Sequence, residues 1–164
     1  MRNQTSTRRG FLTGKAFEER LRFLPPGASE ASLTNCTGCG ACVETCPTQI
    51  IVMSAGLPEV DFRRGECTFC GACAERCPVP VFAPEPVTSF SHVAEIGDGC
   101  LALNFVDCQT CRDVCPTMAI RFRPRIGGPF IPTLNADECT GCGACIAACP
   151  VDAVAMKPME TADA

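Results

Sequence analysis

Sixteen of the 164 residues are cysteine, and they fall into four groups of four. The first is Cys36, Cys39, Cys42 and Cys46, the second Cys67, Cys70, Cys73 and Cys77. The third is Cys100, Cys108, Cys111 and Cys115, the fourth Cys139, Cys142, Cys145 and Cys149. A proline follows each group directly: Pro47, Pro78, Pro116 and Pro150. No cysteine lies outside a group. Thiolate is a soft anionic ligand that suits iron and zinc, and paired thiols suit disulfides. A disulfide scaffold belongs to secreted chains, and the reducing cytoplasm favours metal thiolates instead. Zinc also takes four cysteines, usually as two separated Cys-x2-Cys pairs. Three close cysteines with a fourth before proline, repeated, fit that arrangement poorly.

Groups one, two and four share the spacing Cys-x2-Cys-x2-Cys-x3-Cys-Pro. This run resembles the ligand pattern of the bacterial two-cluster ferredoxins. The resemblance implies four [4Fe–4S] clusters with all sixteen cysteines as ligands. The residues between the cysteines suit that role. Gly38, Gly40 and Ala41, then Gly71 and Ala72, then Gly141, Gly143 and Ala144 are small. Glycine there permits positive φ and close approach of the backbone, so N–H groups can point at sulfur and tune its potential. Proline after the fourth cysteine fixes φ and removes a donor.

Group three departs from this pattern. Seven residues, Leu101 to Asp107, separate Cys100 from Cys108, and Gln109, Thr110, Arg112 and Asp113 replace the small residues. Either this site differs from the others in stability or potential, or the seven residues are a simple loop insertion beside an ordinary site.

The elements that must position these groups follow from the intervening sequence. Ile50 to Met53 and Pro58 to Phe62 flank a Gly56-containing turn and read as a hairpin. Ala119 to Arg123 and Phe130 to Leu134 read as a second. Between groups two and three, Val79 to Ser91 holds Pro80, Pro84 and Pro86 without alternation and reads as a linker. The expectation is a small, metal-stabilised α+β fold of two tandem ferredoxin-like modules, residues 30–84 and 92–158, with a linker at 85–91. A basic tail (1–29) would precede them and a short tail (159–164) follow. The ferredoxin resemblance further implies that the fourth cysteine of each run serves the neighbouring cluster. The sets would be Cys36, Cys39, Cys42 with Cys77, and Cys67, Cys70, Cys73 with Cys46. In the second half they would be Cys100, Cys108, Cys111 with Cys149, and Cys139, Cys142, Cys145 with Cys115. A nested pairing, group one with four and two with three, is the alternative; the two hairpins argue against it.

Composition narrows the function. Apolar residues make up 46% of the chain, but that figure includes the cysteines, and Trp and Tyr are absent. So thin a core needs support, which bound metal supplies. Residues 1–24 hold six basic and two acidic groups, whereas the whole chain nets −4, leaving −8 for the remainder. A basic tail on an acidic body can dock a partner, and Phe17, Leu21 and Leu24 have the spacing of a short helical stripe. Nucleic-acid binding is not expected of so acidic a body. Arg8-Arg9-Gly10-Phe11-Leu12-Thr13 looks like a twin-arginine signal, but the charged residues from Lys15 to Arg22 leave no apolar export stretch. No run is long enough for a membrane span, and a cytoplasmic location follows. There is no nucleotide loop and no nucleophile–base set, so catalytic residues are not assigned and an enzyme is not expected. His92, the lone histidine, reads as a linker residue without a role.

The whole chain resembles the NapF-type ferredoxins, accessory proteins of the periplasmic nitrate reductase system. The resemblance rests on Arg8 to Gly14, on four cysteine groups within this length and on the Cys100-x7-Cys108 gap. It implies a cytoplasmic four-cluster protein whose partner is the immature, molybdenum-containing catalytic subunit of that reductase. Its role would be in maturation or electron supply before export. The competing expectation is a general electron-transfer ferredoxin, or an electron-transfer subunit of another oxidoreductase.

Overall fold

The computed structural model describes residues 22–159. The twin-arginine motif and most of the basic tail, with Phe17 and Leu21 of the proposed stripe, lie outside the described residues. Leu24, its third member, sits outside any helix.

Both expected hairpins form. Strands β1 (Ile51–Ser54) and β2 (Leu57–Val60) pair antiparallel, with Ile51 opposite Val60 and Ser54 opposite Leu57. Their two-residue turn places Ala55 at φ 48° and Gly56 at φ 83°, the doubly left-handed geometry that matches strand twist. β3 is His92–Ile96. β4 (Ile120–Arg125) and β5 (Gly128–Leu134) form the second hairpin, its ladder slipping between Arg123 and Arg125. Pro124 lies at that slip, where the missing N–H costs no ladder bond. β6 (Val154–Pro158) pairs antiparallel with β3, Ile96 facing Val154. That pair is not legible in the local pattern, because its strands are about 60 residues apart. Its counterpart in the first half is a single bridge between Ala28 and Phe82.

Four one-turn helices rise out of the cysteine loops: α1 (Ala41–Thr45), α2 (Ala72–Glu75), α3 (Thr110–Asp113) and α4 (Ala144–Ala147). Helices this short do not persist alone. Gly40, Gly71 and Gly143 start α1, α2 and α4 in the left-handed region, at φ 76°, 76° and 87°. Gln109 starts α3 at φ −134°, so the residue that lacks glycine's freedom takes a different entry.

The halves share one core. Ile50, Ile51, Val60, Phe62 and Cys73 join Ala94, Cys111, Ile120, Cys145, Val154 and Met156 in a continuous buried cluster. His92 belongs to a strand rather than a linker, contrary to expectation. It is 6% exposed, stacks on Phe90 at 4.7 Å between ring centroids, and meets Phe23 and Phe62 edge-on. Its Nε2–H donates to the Gly141 carbonyl at 3.1 Å. The proline-rich segment before it also packs inward, Val81 being fully buried and Phe90 lying against Phe62 and Phe69.

Candidate iron–sulfur sites

The structure gathers the sixteen cysteines around four separate voids. One is lined by Cys36, Cys39, Cys42 and Cys77, beside Met53 and Phe82. The next has Cys46, Cys67, Cys70 and Cys73, beside Ile50 and Val60. The third has Cys115, Cys139, Cys142 and Cys145, and the fourth Cys100, Cys108, Cys111 and Cys149. Each void therefore takes three sulfurs from one group and the remaining one from the paired group. The hairpins cause this exchange. β1–β2 returns the chain antiparallel, laying α1 against α2, and β4–β5 does the same for α3 and α4. The nested arrangement would need groups one and four around common voids, and no described void has that lining.

The voids are alike in size, each with a cavity volume of about 20 Å³. Four sulfurs around an apolar hollow fit a cuboidal cluster, whose corners lie well apart. Among the described residues no His, Cys, Asp or Glu side chains converge tightly enough for one bare ion.

Burial sets the thiols' acidity. It pushes Cys67, Cys73 and Cys111 up to about 11 and Cys145 to about 12. Neighbouring sulfurs push the same way, since two thiolates repel. Burial also raises Cys42 and Cys142. Such thiols give up their protons when a cation takes their place, which couples loading to pH. Cys46 and Cys115 differ. Burial raises them too, but hydrogen bonds from Thr48 and Thr117 and from nearby backbone amides outweigh it. Cys39, fully exposed, is lowered chiefly by the Ala41 N–H.

Those threonine contacts were missed in the sequence, although a signal existed. Cys-Pro-Thr closes groups one and three, whereas valine follows the proline in groups two and four. Thr48 Oγ1 lies 3.6 Å from Cys46 Sγ, and Thr117 Oγ1 3.7 Å from Cys115 Sγ. Thr110 makes the like contact with Cys108 at 3.6 Å, and the Ala153 N–H donates to Cys149 Sγ at 3.2 Å. Hydrogen bonds to sulfur stabilise the reduced, more negative state and raise potential.

In group three the seven-residue insertion folds back as an ordered loop. Asn104 Nδ2 donates to the carbonyls of Asp98 and Cys100 at 2.6 and 2.9 Å. Arg125 Nη2 donates to the Ala102 carbonyl at 2.9 Å, and its guanidinium lies 4.2 Å over the Phe105 ring. The second hairpin thus braces the loop.

Sixteen thiols around four hollows, on hairpins within a small α+β fold, define an iron–sulfur electron carrier rather than an enzyme. Sequence comparison agrees: the 4Fe-4S dicluster domain matches twice in tandem, over residues 35–81 and 106–153. Two dicluster segments and sixteen cysteines fit four [4Fe–4S] clusters. The ferredoxin-type protein NapF of Haemophilus influenzae is 48% identical over 83% of this chain and 79% of its own length. That of Escherichia coli K12 is 43% identical over 91% of this chain and 93% of its own. The ferredoxin-type protein NapG of Escherichia coli K12 is more distant, at 32% identity over 88% of this chain and 72% of its own. The chain belongs to the ferredoxin-type NapF family. Among the described residues no helix is long and apolar enough to cross a membrane.

Proposed function

We propose that this chain is a cytoplasmic four-cluster protein that serves the catalytic subunit of periplasmic nitrate reductase before export, in maturation or by electron supply. All sixteen cysteines are the ligands, in the four exchanged sets that line the voids. The modules span residues 30–84 and 92–158. The single observation that carries the ligand assignment is the lining of each void by four cysteines from two groups. Membership of the NapF family supports the reductase partner, and the basic tail ahead of an acidic body offers a place to dock it.

When bound, each cluster would accept and release one electron. The protein's residues hold that cluster by thiolate, shield it with Ile50, Val60, Phe82, Ile120 or Phe122, and direct N–H and O–H donors at its sulfurs. The test is anaerobic capture of the protein from cytoplasm, with and without residues 1–24. Recovery of the unexported reductase subunit, lost on tail deletion, is the expected result. Recovery of assorted oxidoreductases, unchanged by the deletion, would make the protein a general electron carrier instead.

A further inference from the structure

Three glycines occupy equivalent places in their loops, one residue after the second cysteine: Gly40, Gly71 and Gly143. All three are left-handed. A Cβ on Gly40 or Gly71 would meet nothing within 4 Å. On Gly143 it would fall 2.0 Å from Phe62 Cδ1 and 2.6 Å from Cγ. Gly141 is similarly hemmed in, since a Cβ there would lie 2.5 Å from the His92 carbonyl oxygen. The group-four loop therefore needs glycine for a reason that its counterparts lack. It is pressed against Phe62 of the first half.

The contact continues along the backbone. Three successive carbonyls of this loop each accept one hydrogen bond. Thr140 accepts from the Phe90 N–H at 2.9 Å, Gly141 from His92 Nε2–H at 3.1 Å, and Cys142 from the Cys67 N–H at 2.8 Å. The last joins two cysteines that line different voids in different halves. From one sulfur to the other runs a path of the Cys67 side chain and amide, one short hydrogen bond, and the Cys142 carbonyl and side chain. Phe62 and His92 pack against the same loop, at Gly143 and Gly141, and belong to an aromatic cluster with Phe23, Phe69 and Phe90 whose rings lie 4.7 to 5.8 Å apart between centroids.

We infer that this seam is the electron route between the halves, with Gly143 and Phe62 as positioning residues that hold Cys67 against Cys142. One electron leaves the site of Cys46, Cys67, Cys70 and Cys73 and one arrives at that of Cys115, Cys139, Cys142 and Cys145. No bond is made or broken and no proton moves. A low-potential one-electron donor supplies the electron from outside. The four sites then form one continuous series rather than two separate pairs. The inference rests on the ligand sets proposed above.

The experiment uses the full chain, loaded anaerobically and reduced with dithionite. Iron content, electron paramagnetic resonance and deuterium exchange at the Cys67 amide are read together. In the unsubstituted chain the magnetic interaction is expected to extend across the seam. In Gly143→Ala the iron is retained, the Cys67 amide exchanges faster, and the spectrum collapses to two independent pairs. Gly127→Ala, in the β4–β5 turn and outside every cysteine loop, is the reference, because it imposes left-handed strain at φ 74° with no clash, and its spectrum should keep the cross-seam interaction. Phe62→Glu, outside every cysteine loop, opens the same seam by burying a carboxylate and should match Gly143→Ala. A spectrum of independent pairs in the unsubstituted chain overturns the route. So does an unchanged interaction in a variant whose Cys67 amide has become exposed. Loss of iron from both seam variants, with the reference intact, makes the seam a folding device only. Failure of the ligand sets themselves would appear separately, as loss in Cys77→Ala of the spectral component that Cys67→Ala loses.

Discussion

Cys77→Ala distinguishes exchanged ligation from ligation within a group. In the structure Cys77 closes the void of Cys36, Cys39 and Cys42, not that of its own group. Its neighbours there are apolar: Met53, Pro58, Val79, Val81 and Phe82. None can replace a thiolate, and alanine brings no donor of its own. A fully loaded chain with four clusters holds about sixteen iron atoms, so losing one cluster leaves about twelve. Residues that serve one site act as a unit, and their losses do not add. Cys36→Ala should therefore remove the same four iron atoms and the same spectral component as Cys77→Ala. The double variant should also retain about twelve iron atoms, since the ligands of one cluster fail together. Cys67→Ala and Cys46→Ala should share a different component. The assay is iron determination with low-temperature electron paramagnetic resonance after anaerobic reconstitution. The reasoning is refuted if Cys77→Ala loses the component lost by Cys67→Ala. A fall to about eight iron atoms in the Cys36/Cys77 double variant, two independent losses, would refute it equally.

Three further outcomes follow from the packing. Phe62→Ala removes a ring that is 4% exposed at the junction of both halves, and should cost about 3–5 kcal/mol in chemical unfolding, the range for buried phenylalanine. His92 is held below its ordinary value of 6.5 by burial, only partly countered by its bond to Gly141. The unfolded chain therefore binds the proton first as pH falls, and folding stability present above pH 6.5 declines below it. His92→Gln keeps an N–H donor for Gly141 without a titrating group, so the acid limb of its stability profile should be flatter than that of the unsubstituted chain. Arg125→Ala removes the bond to Ala102 and the stacking on Phe105. It should cost about 1–2 kcal/mol, the unpartnered Nε moderating the loss, with faster deuterium exchange confined to residues 101–107.

Much of this molecule is set by spacing along the chain. A cysteine loop is local: in groups one, two and four, two residues between sulfurs, small side chains and a glycine free to turn left-handed bring three thiols to one void. The hairpins are local too, since Ile51 and Val60 need only a two-residue turn to meet. The cofactor, the tandem ferredoxin-like modules and the grouping of the cysteines were accordingly readable from the sequence.

What the sequence could not decide depends on residues far apart along the chain. The ferredoxin resemblance implied the exchanged fourth cysteine, but which groups line a common void depends on the hairpins that lay α1 on α2 and α3 on α4. The β3–β6 pair joins strands on either side of two cysteine groups. The same Cys-Gly-Ala recurs in three loops, yet only tertiary packing sets Gly143 against Phe62 and leaves Gly40 and Gly71 in open space. His92 looked like a linker residue because no neighbour within its own segment marks it as core. It is buried because Phe23 and Phe62 reach it from two other segments of the chain, while Phe90 stacks on it from its own. Local sequence fixes which atoms can bind iron; the fold alone sets how close one site lies to the next, because that distance is a sum over packed surfaces and not a spacing.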